Sequence, residues 1–207
     1  MTTLATTSVA PLPDRPELSP ARRRLFEAAL ELFSKAGYHG VSVRDIVREL
    51  DQAPTASYAH VSSKQELLFE LVRIGHEELR DRVRAAVLDA GSDPEQQLRA
   101  VIRTNVATHL TFPELARVTH SDHGCLSPEQ KAVIDVLRVD LGALLREVIR
   151  RGTEQGVLAA LDLQVTIGAI ASMGARVVDW WTPESSMSIE HVAATHAELA
   201  VRMLTAR

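Results

Sequence analysis

The sequence predicts an all-α chain, with three N-terminal helices forming a helix-turn-helix ahead of a larger helical C-terminal part. Three observations predict it. Apolar residues recur at helical spacing along most of the chain. Aromatic residues make up only 4% of a composition dominated by Leu, Ala, Val and Arg. Helix-start signals repeat, as in Asp93-Pro94-Glu95-Gln96 and Ser127-Pro128-Glu129-Gln130, each an N-cap, a proline at the first helical position and a glutamine three residues on.

The first helix is expected from Pro20 to about Ala36, with Leu25, Ala28, Ala29, Leu32, Phe33 and Ala36 as its apolar stripe and Gly37 as the residue that ends it. Ser42 is an N-cap with Asp45 as a short capping-box partner, so Arg44 to Leu50 forms a second helix. Asp51 and Gln52 turn the chain. Pro54 opens a third helix, Thr55 to Val61, because its missing amide has no role in a first turn. Ser63 and Glu66 form another capping box and start a long helix from Lys64 to about Asp89. Two short helices joined by a tight turn and held by longer neighbours can present a helix to the major groove of DNA. Residues 1–19, rich in Thr, Ser, Pro and Ala, read as a flexible arm. That arm is either a tail without a role or a segment along the DNA backbone or minor groove, with Arg15 and Arg22 to Arg24 at its base.

Further helices are expected from Pro94 to about Leu110, from Glu114 to His120, from Pro128 to about Gln155, from Asp162 to Trp181, and from Ser188 onward. The helix from Asp162 is unusually small-sided, with Gly168, Ala169, Ala171, Ser172, Gly174 and Ala175. Small side chains let a second helix approach closely, so the last two helices and their copies could form a four-helix dimer seam; the other possibility is burial in the monomer core. Arg176 and Trp180 stand one turn apart. They are either a pocket-wall pair, Arg for an anion and Trp for an apolar body, or a surface Arg lying over an indole.

Composition narrows the function. The chain has 207 residues and a formal charge of −4. Eight Lys/Arg and seven Asp/Glu lie between Met1 and Lys64, so no basic footprint appears from counts alone. The single cysteine, Cys125, excludes an internal disulfide and suits a reducing cytosol. No signal peptide and no membrane span of ~18 apolar residues is found, so a cytoplasmic protein is expected. There is no glycine-rich phosphate loop, nucleophile elbow or HExxH, so no enzyme is expected. His109, His120, Asp122 and His123 straddle two helix breaks and read as solvated loop residues, with no metal or other cofactor expected.

The run LFEAALELFSKAGYHGVSVRDIVREL, followed by SYAHVSSKQELL, resembles the DNA-binding domain of the tetracycline-repressor (TetR) family of bacterial regulators. The chain departs from that pattern at Asp51, Gln52, Thr55, Ser57 and Val61. The resemblance implies a homodimer with a helical ligand-binding and dimerisation domain, and a tyrosine at 58 that contacts phosphate. A looser likeness in FPELARVTH, LSPEQ and GARVVDWWTPESSMSIEHVA is to the subgroup that senses acyl-coenzyme A thioesters in fatty-acid or steroid breakdown.

These readings give an arm at 1–19, a helix-turn-helix DNA-binding domain at 20–66 and a ligand-binding and dimerisation domain at 67–207. The DNA-binding residues expected are Arg44, Pro54, Thr55, Ser57, Tyr58, His60 and Lys64. The ligand-binding residues expected are Asn105, His109, Arg176 and Trp180. The expected partners are a double-stranded palindromic operator, a small-molecule effector with an acyl-CoA thioester as first candidate, and a second copy held through the last two helices, with no membrane. The alternative is a helical ligand-binding or adaptor protein with weakened DNA binding, motivated by Asp51, Gln52 and the near-neutral N-terminal lobe.

Overall fold

A computed structural model of the chain describes residues 9–50, 63–159 and 162–204. Among the described residues there are eight α-helices and no strand: α1 (Pro20–Ala36), α2 (Val43–Glu49), α3 (Lys64–Asp89), α4 (Pro94–Thr111), α5 (Pro113–Ser121), α6 (Pro128–Glu154), α7 (Leu163–Ala175) and α8 (Ile189–Leu204). The chain divides into two compact units, Ala10–His76 with Phe112–Asp135, and Glu77–Thr111 with Val136–Arg207. No helix among the described residues is long and apolar enough to cross a membrane.

In the first unit, α1 starts where the Ser19 hydroxyl accepts the Arg22 N–H. It ends at Gly37, whose φ of 68° lies in the left-handed region that favours glycine. The buried face of α1 is Leu25, Phe26, Ala28, Ala29, Leu30 and Phe33. Leu32 is only half-buried and Ala36 is exposed, so the face is turned from the expected stripe toward Phe26 and Leu30. Leu67, Leu68, Leu71, Val72 and Ile74 of α3 are buried in the same unit. Gly75 lies against α5; a Cβ there would stand 2.8 Å from the Thr119 hydroxyl and 3.4 Å from Leu115. The described part of the expected arm is packed rather than free. Leu12 is 3% exposed, and the Arg15 guanidinium donates to the Ile74 carbonyl at 3.4 Å.

In the second unit, α4 packs on α7 and α8. Leu98, Ile102, Val106 and Leu110 of α4 are buried, as are Ile170 of α7 and Val192, Ala193, Ala200 and Leu204 of α8. Arg99 joins Glu95 on its own helix to Glu198 of α8, with N–O distances of 2.9 and 2.7 Å. α6 ends in a tight return at Gly156, φ 73°, where the Gly152 carbonyl accepts the Val157 and Leu158 N–H groups at 2.9 and 3.0 Å. Leu158 then lies on Gly152 so closely that a Cβ there would meet its side chain at 2.4 Å.

The helix expected from Asp162 to Trp181 stops sooner. The Asp162 carboxylate caps α7 through the Val165 N–H, but the α-helix ends at Ala175 and a 3-10 turn follows over Arg176–Asp179. A 3-10 turn has about three residues per turn rather than 3.6. Val177 and Val178 both become buried, and Trp181 goes inward, donating its indole N–H to the Met187 carbonyl at 2.9 Å. Arg176 and Trp180 therefore do not form one helical face.

Candidate nucleic-acid interface and effector site

α2 is short and strongly started. The Ser42 hydroxyl accepts the Asp45 N–H at 3.2 Å, while the Asp45 carboxylate accepts the Ser42 N–H at 2.9 Å and its hydroxyl at 2.6 Å. The hydrogen bonds from Ser42 hold the Asp45 carboxyl below its ordinary range. This reciprocal cap fixes where α2 begins, and with it the direction in which Arg44 points away from the packed face. Arg44 and Arg24 are exposed, and neither is in an ion pair among the described residues. Arg22 and Arg23 are engaged within the unit: Arg22 with Glu70 at 3.4 Å, and Arg23 with Glu27 at 3.3 Å and Asp14 at 3.6 Å. Pro54, Thr55, Ser57, Tyr58 and His60 lie outside the described residues.

Lys64, expected at a phosphate, has an anchoring role in the structure. Its ammonium donates to the Tyr38 and Val41 carbonyls, both at 2.8 Å, and lies 4.0 Å from the centre of the Tyr38 ring. The first residue of α3 is thus tied to the loop between α1 and α2. The sequence reading missed the opposite side of this clamp. The buried Asp122, just after α5, accepts the Tyr38 N–H; burial pushes its carboxyl up, against the pull of that hydrogen bond, His39 and Lys64. The loop that orients α2 is therefore held from both sides by charged groups more than 20 residues away in sequence. No local pattern marks Asp122 for this role.

In the second unit, Asn105 and His109 follow each other by one turn on α4. His109 is 7% exposed, and its Nδ1 lies 2.7 Å from the Asn105 carbonyl. Burial drives the imidazole below its ordinary value, with the Asn105 carbonyl opposing. Gly174 of α7 faces Asn105; a Cβ on it would stand 2.4 Å from the Asn105 Oδ1. Asn105 and His109 are thus brought together. Arg176 and Trp180 are not with them. Arg176 is 76% exposed in its side chain and paired with Asp179 at 2.6 Å. Trp180 is 53% exposed and stacks on His196, ring centres 6.1 Å apart. His120, Asp122 and His123 belong to the first unit and His109 to the second. Among the described residues no group of three or more His, Cys, Asp or Glu is placed to hold a metal.

The buried His109 gives a pH dependence with a definite sign. A depressed folded-state value means that the unfolded chain binds the proton more readily. Stability is then full above about pH 6.5 and falls as pH drops below it, with a slope tending to ~1.4 kcal/mol per pH unit. His109→Gln should lack this component. Urea unfolding of both proteins between pH 7.5 and 5 checks it, and parallel slopes would contradict it.

Two family models match the chain, one for bacterial regulatory proteins of the tetR family over residues 25–71 and one for the tetracyclin repressor-like C-terminal domain over residues 91–204. The HTH-type transcriptional repressor KstR2 of Rhodococcus jostii is 22% identical over 193 residues, 92% of this chain and 94% of its own. A crystal structure of a tetR-family bacterial regulatory protein from Rhodococcus RHA1 is 28% identical, covering 91% of this chain and 99% of the other, with a TM-score of 0.84. AibR, solved in complex with isovaleryl coenzyme A and operator DNA, shares the fold at a TM-score of 0.77 and 24% identity, covering 89% of this chain and 98% of the other.

Proposed function

The chain belongs to the tetR family of bacterial regulatory proteins, and we propose that it is a repressor that a small-molecule effector, an acyl-CoA thioester, releases from its operator. The family consists of DNA-binding transcription regulators, not enzymes, and its members act as dimers with operator DNA and small-molecule effectors. The observation that carries the repressor reading is the pair of family matches, one over the helix-turn-helix and one over the C-terminal helices.

The dimer is assigned to α7 and α8. Val165, Gly168, Ala169 and Ser172 are exposed on α7, and Leu199 and Met203 on α8. Such a surface suits close helix packing against a second copy. Two heads then stand about one duplex turn apart, ~34 Å, on a palindrome. Arg44 and the segment from Pro54 to His60 meet the DNA, Thr55 at base edges and Tyr58 and His60 at phosphates. The helix-turn-helix and the C-terminal helices keep the roles and boundaries set out above.

The effector is assigned to the end of α4. Asn105 supplies an amide and His109 an uncharged imidazole, groups that suit a carbonyl or amide rather than a bare anion. AibR supports the thioester choice, being solved with isovaleryl coenzyme A. An effector can move the equilibrium only by its difference in affinity for the two conformations. The test is fluorescence anisotropy of the protein on its own operator, titrated with isovaleryl coenzyme A and with free coenzyme A. Release by the thioester, at concentrations where free coenzyme A is inert, is the expected result. No release by any acyl chain length removes the thioester while leaving the repressor standing.

A further inference from the structure

Helix α6 is one unbroken helix from Pro128 to Glu154, and its outer ridge is apolar where a solvent-facing ridge should be polar. Val136 is 61% exposed and Val139 68%, and Ala132 and Ala143 are exposed on either side of them. The four occupy one line along the helix with spacings of four, three and four residues. That is the spacing of a helix-packing seam rather than of scattered surface residues. On the same line, one step beyond each end, stand Glu129 and Arg146.

The line is self-complementary under a twofold axis. In an antiparallel pair of such helices, residues whose numbers share one sum face each other across the axis. With the axis between Val136 and Val139, Val136 faces Val139 of the copy, Ala132 faces Ala143, and Glu129 faces Arg146. Each apolar residue meets an apolar one, and at both ends a carboxylate meets a guanidinium. Arg146 donates to the Gln164 side chain at 3.2 Å, and a guanidinium carries five N–H donors, so it can bind a carboxylate as well. Glu129 accepts the Ser127 hydroxyl at 2.8 Å and keeps further acceptor sites.

We propose that the outer ridge of α6 docks antiparallel on the same ridge of a second copy, joining two dimers into a four-chain assembly. The contact uses a face distinct from α7 and α8. It is one helix wide and made of small side chains, so it is a weak association that forms when dimers are concentrated, as on neighbouring operators. The assignment of this contact to a second level of assembly rests on the dimer reading above.

Sedimentation velocity of the full chain over a range of concentrations tests it. The expected result for the wild type is a shift from two-chain to four-chain mass. V136E/V139E should keep the dimer and move that shift at least about tenfold higher in concentration. Glu129→Arg alone should weaken the association by placing arginine opposite Arg146, and Glu129→Arg with Arg146→Glu should restore it, an outcome that loss of folding could not imitate. The proposal is overturned if the wild type never exceeds dimer mass, or if V136E/V139E associates as the wild type does. A wild type that stops at two chains and becomes a monomer in V136E/V139E would overturn the four-chain assembly and also fail the α7/α8 seam. A variant at the α7/α8 face, Gly168→Arg, separates the two readings. It should break the dimer, while pairing through α6 persists.

Discussion

Lys64→Met should unfold earlier than the wild type by about 4–16 °C, in the absence of any DNA. The substitution keeps the stem of the side chain and removes the ammonium. The Tyr38 and Val41 carbonyls then lose a charged donor at 2.8 Å each. Hydrogen bonds to charged groups contribute about 1.5–3 kcal/mol apiece, and partial exposure of Lys64 brings the pair to ~2–4 kcal/mol. For a chain of this size each kcal/mol moves the melting temperature by about 2–4 °C. The loss is local in its effect. The loop that orients α2 keeps Asp122 at the Tyr38 N–H, the Phe33–Tyr38 ring contact and the His39–Cys125 contact, but loses its tie to the start of α3, so operator binding falls with stability. Arg44→Ala is the contrast: exposed and outside any described ion pair, it should melt as the wild type does. It should also weaken binding evenly across operators and reduce the salt slope by about one. Thermal melts and salt titrations of both variants check this. A Lys64→Met protein that melts normally yet loses the operator would make Lys64 a direct phosphate ligand instead of an anchor.

Gly174→Ala should leave operator binding intact and blunt the effector response by about ten- to a hundredfold in effector concentration. A Cβ at this position would stand 2.4 Å from the Asn105 Oδ1, the free end of a side chain that can turn away. Turning Asn105 costs about 1 kcal/mol or less in stability. It removes one hydrogen-bonding group from the site at the end of α4, and a lost buried hydrogen bond is worth about 1–3 kcal/mol of affinity. Isovaleryl coenzyme A titrated against the protein–operator complex reads the change. Asn105→Ala in the Gly174→Ala background should add little, because both act through the same amide. Additive losses from the two substitutions would show that Gly174 and Asn105 act on the effector separately.

Most of the helical order was legible from the residues, because capping and periodicity are local. Ser42 with Asp45, Asp93 with Pro94, and Gly37 after α1 each act within one turn, and the observed α1, α2, α3, α4 and α6 start where those signals lie. The end of α7 was not legible. Whether a run such as Ala175-Arg176-Val177-Val178 continues as an α-helix or tightens to 3-10 depends on what buries the two valines, which is tertiary. That one change moved Arg176 and Trp180 to the surface and made Trp181 the buried indole. The role of Lys64 was legible only as a charge near DNA. Its carbonyl partners lie more than 20 residues back, and no spacing rule connects them. Asn105 and His109 were found together because one helical turn separates them, while the approach of Gly174 to Asn105 came from packing.

This chain should recognise one specific duplex sequence. Selection of genomic fragments by the purified protein at physiological salt, followed by sequencing, is the test. A repressor of this family should enrich one palindromic site whose half-sites lie about one duplex turn apart. Enrichment of no site, at low salt as well as physiological salt, would contradict the claim and favour a helical ligand-binding or adaptor protein whose departures at Asp51, Gln52 and Ser57 have cost it its operator.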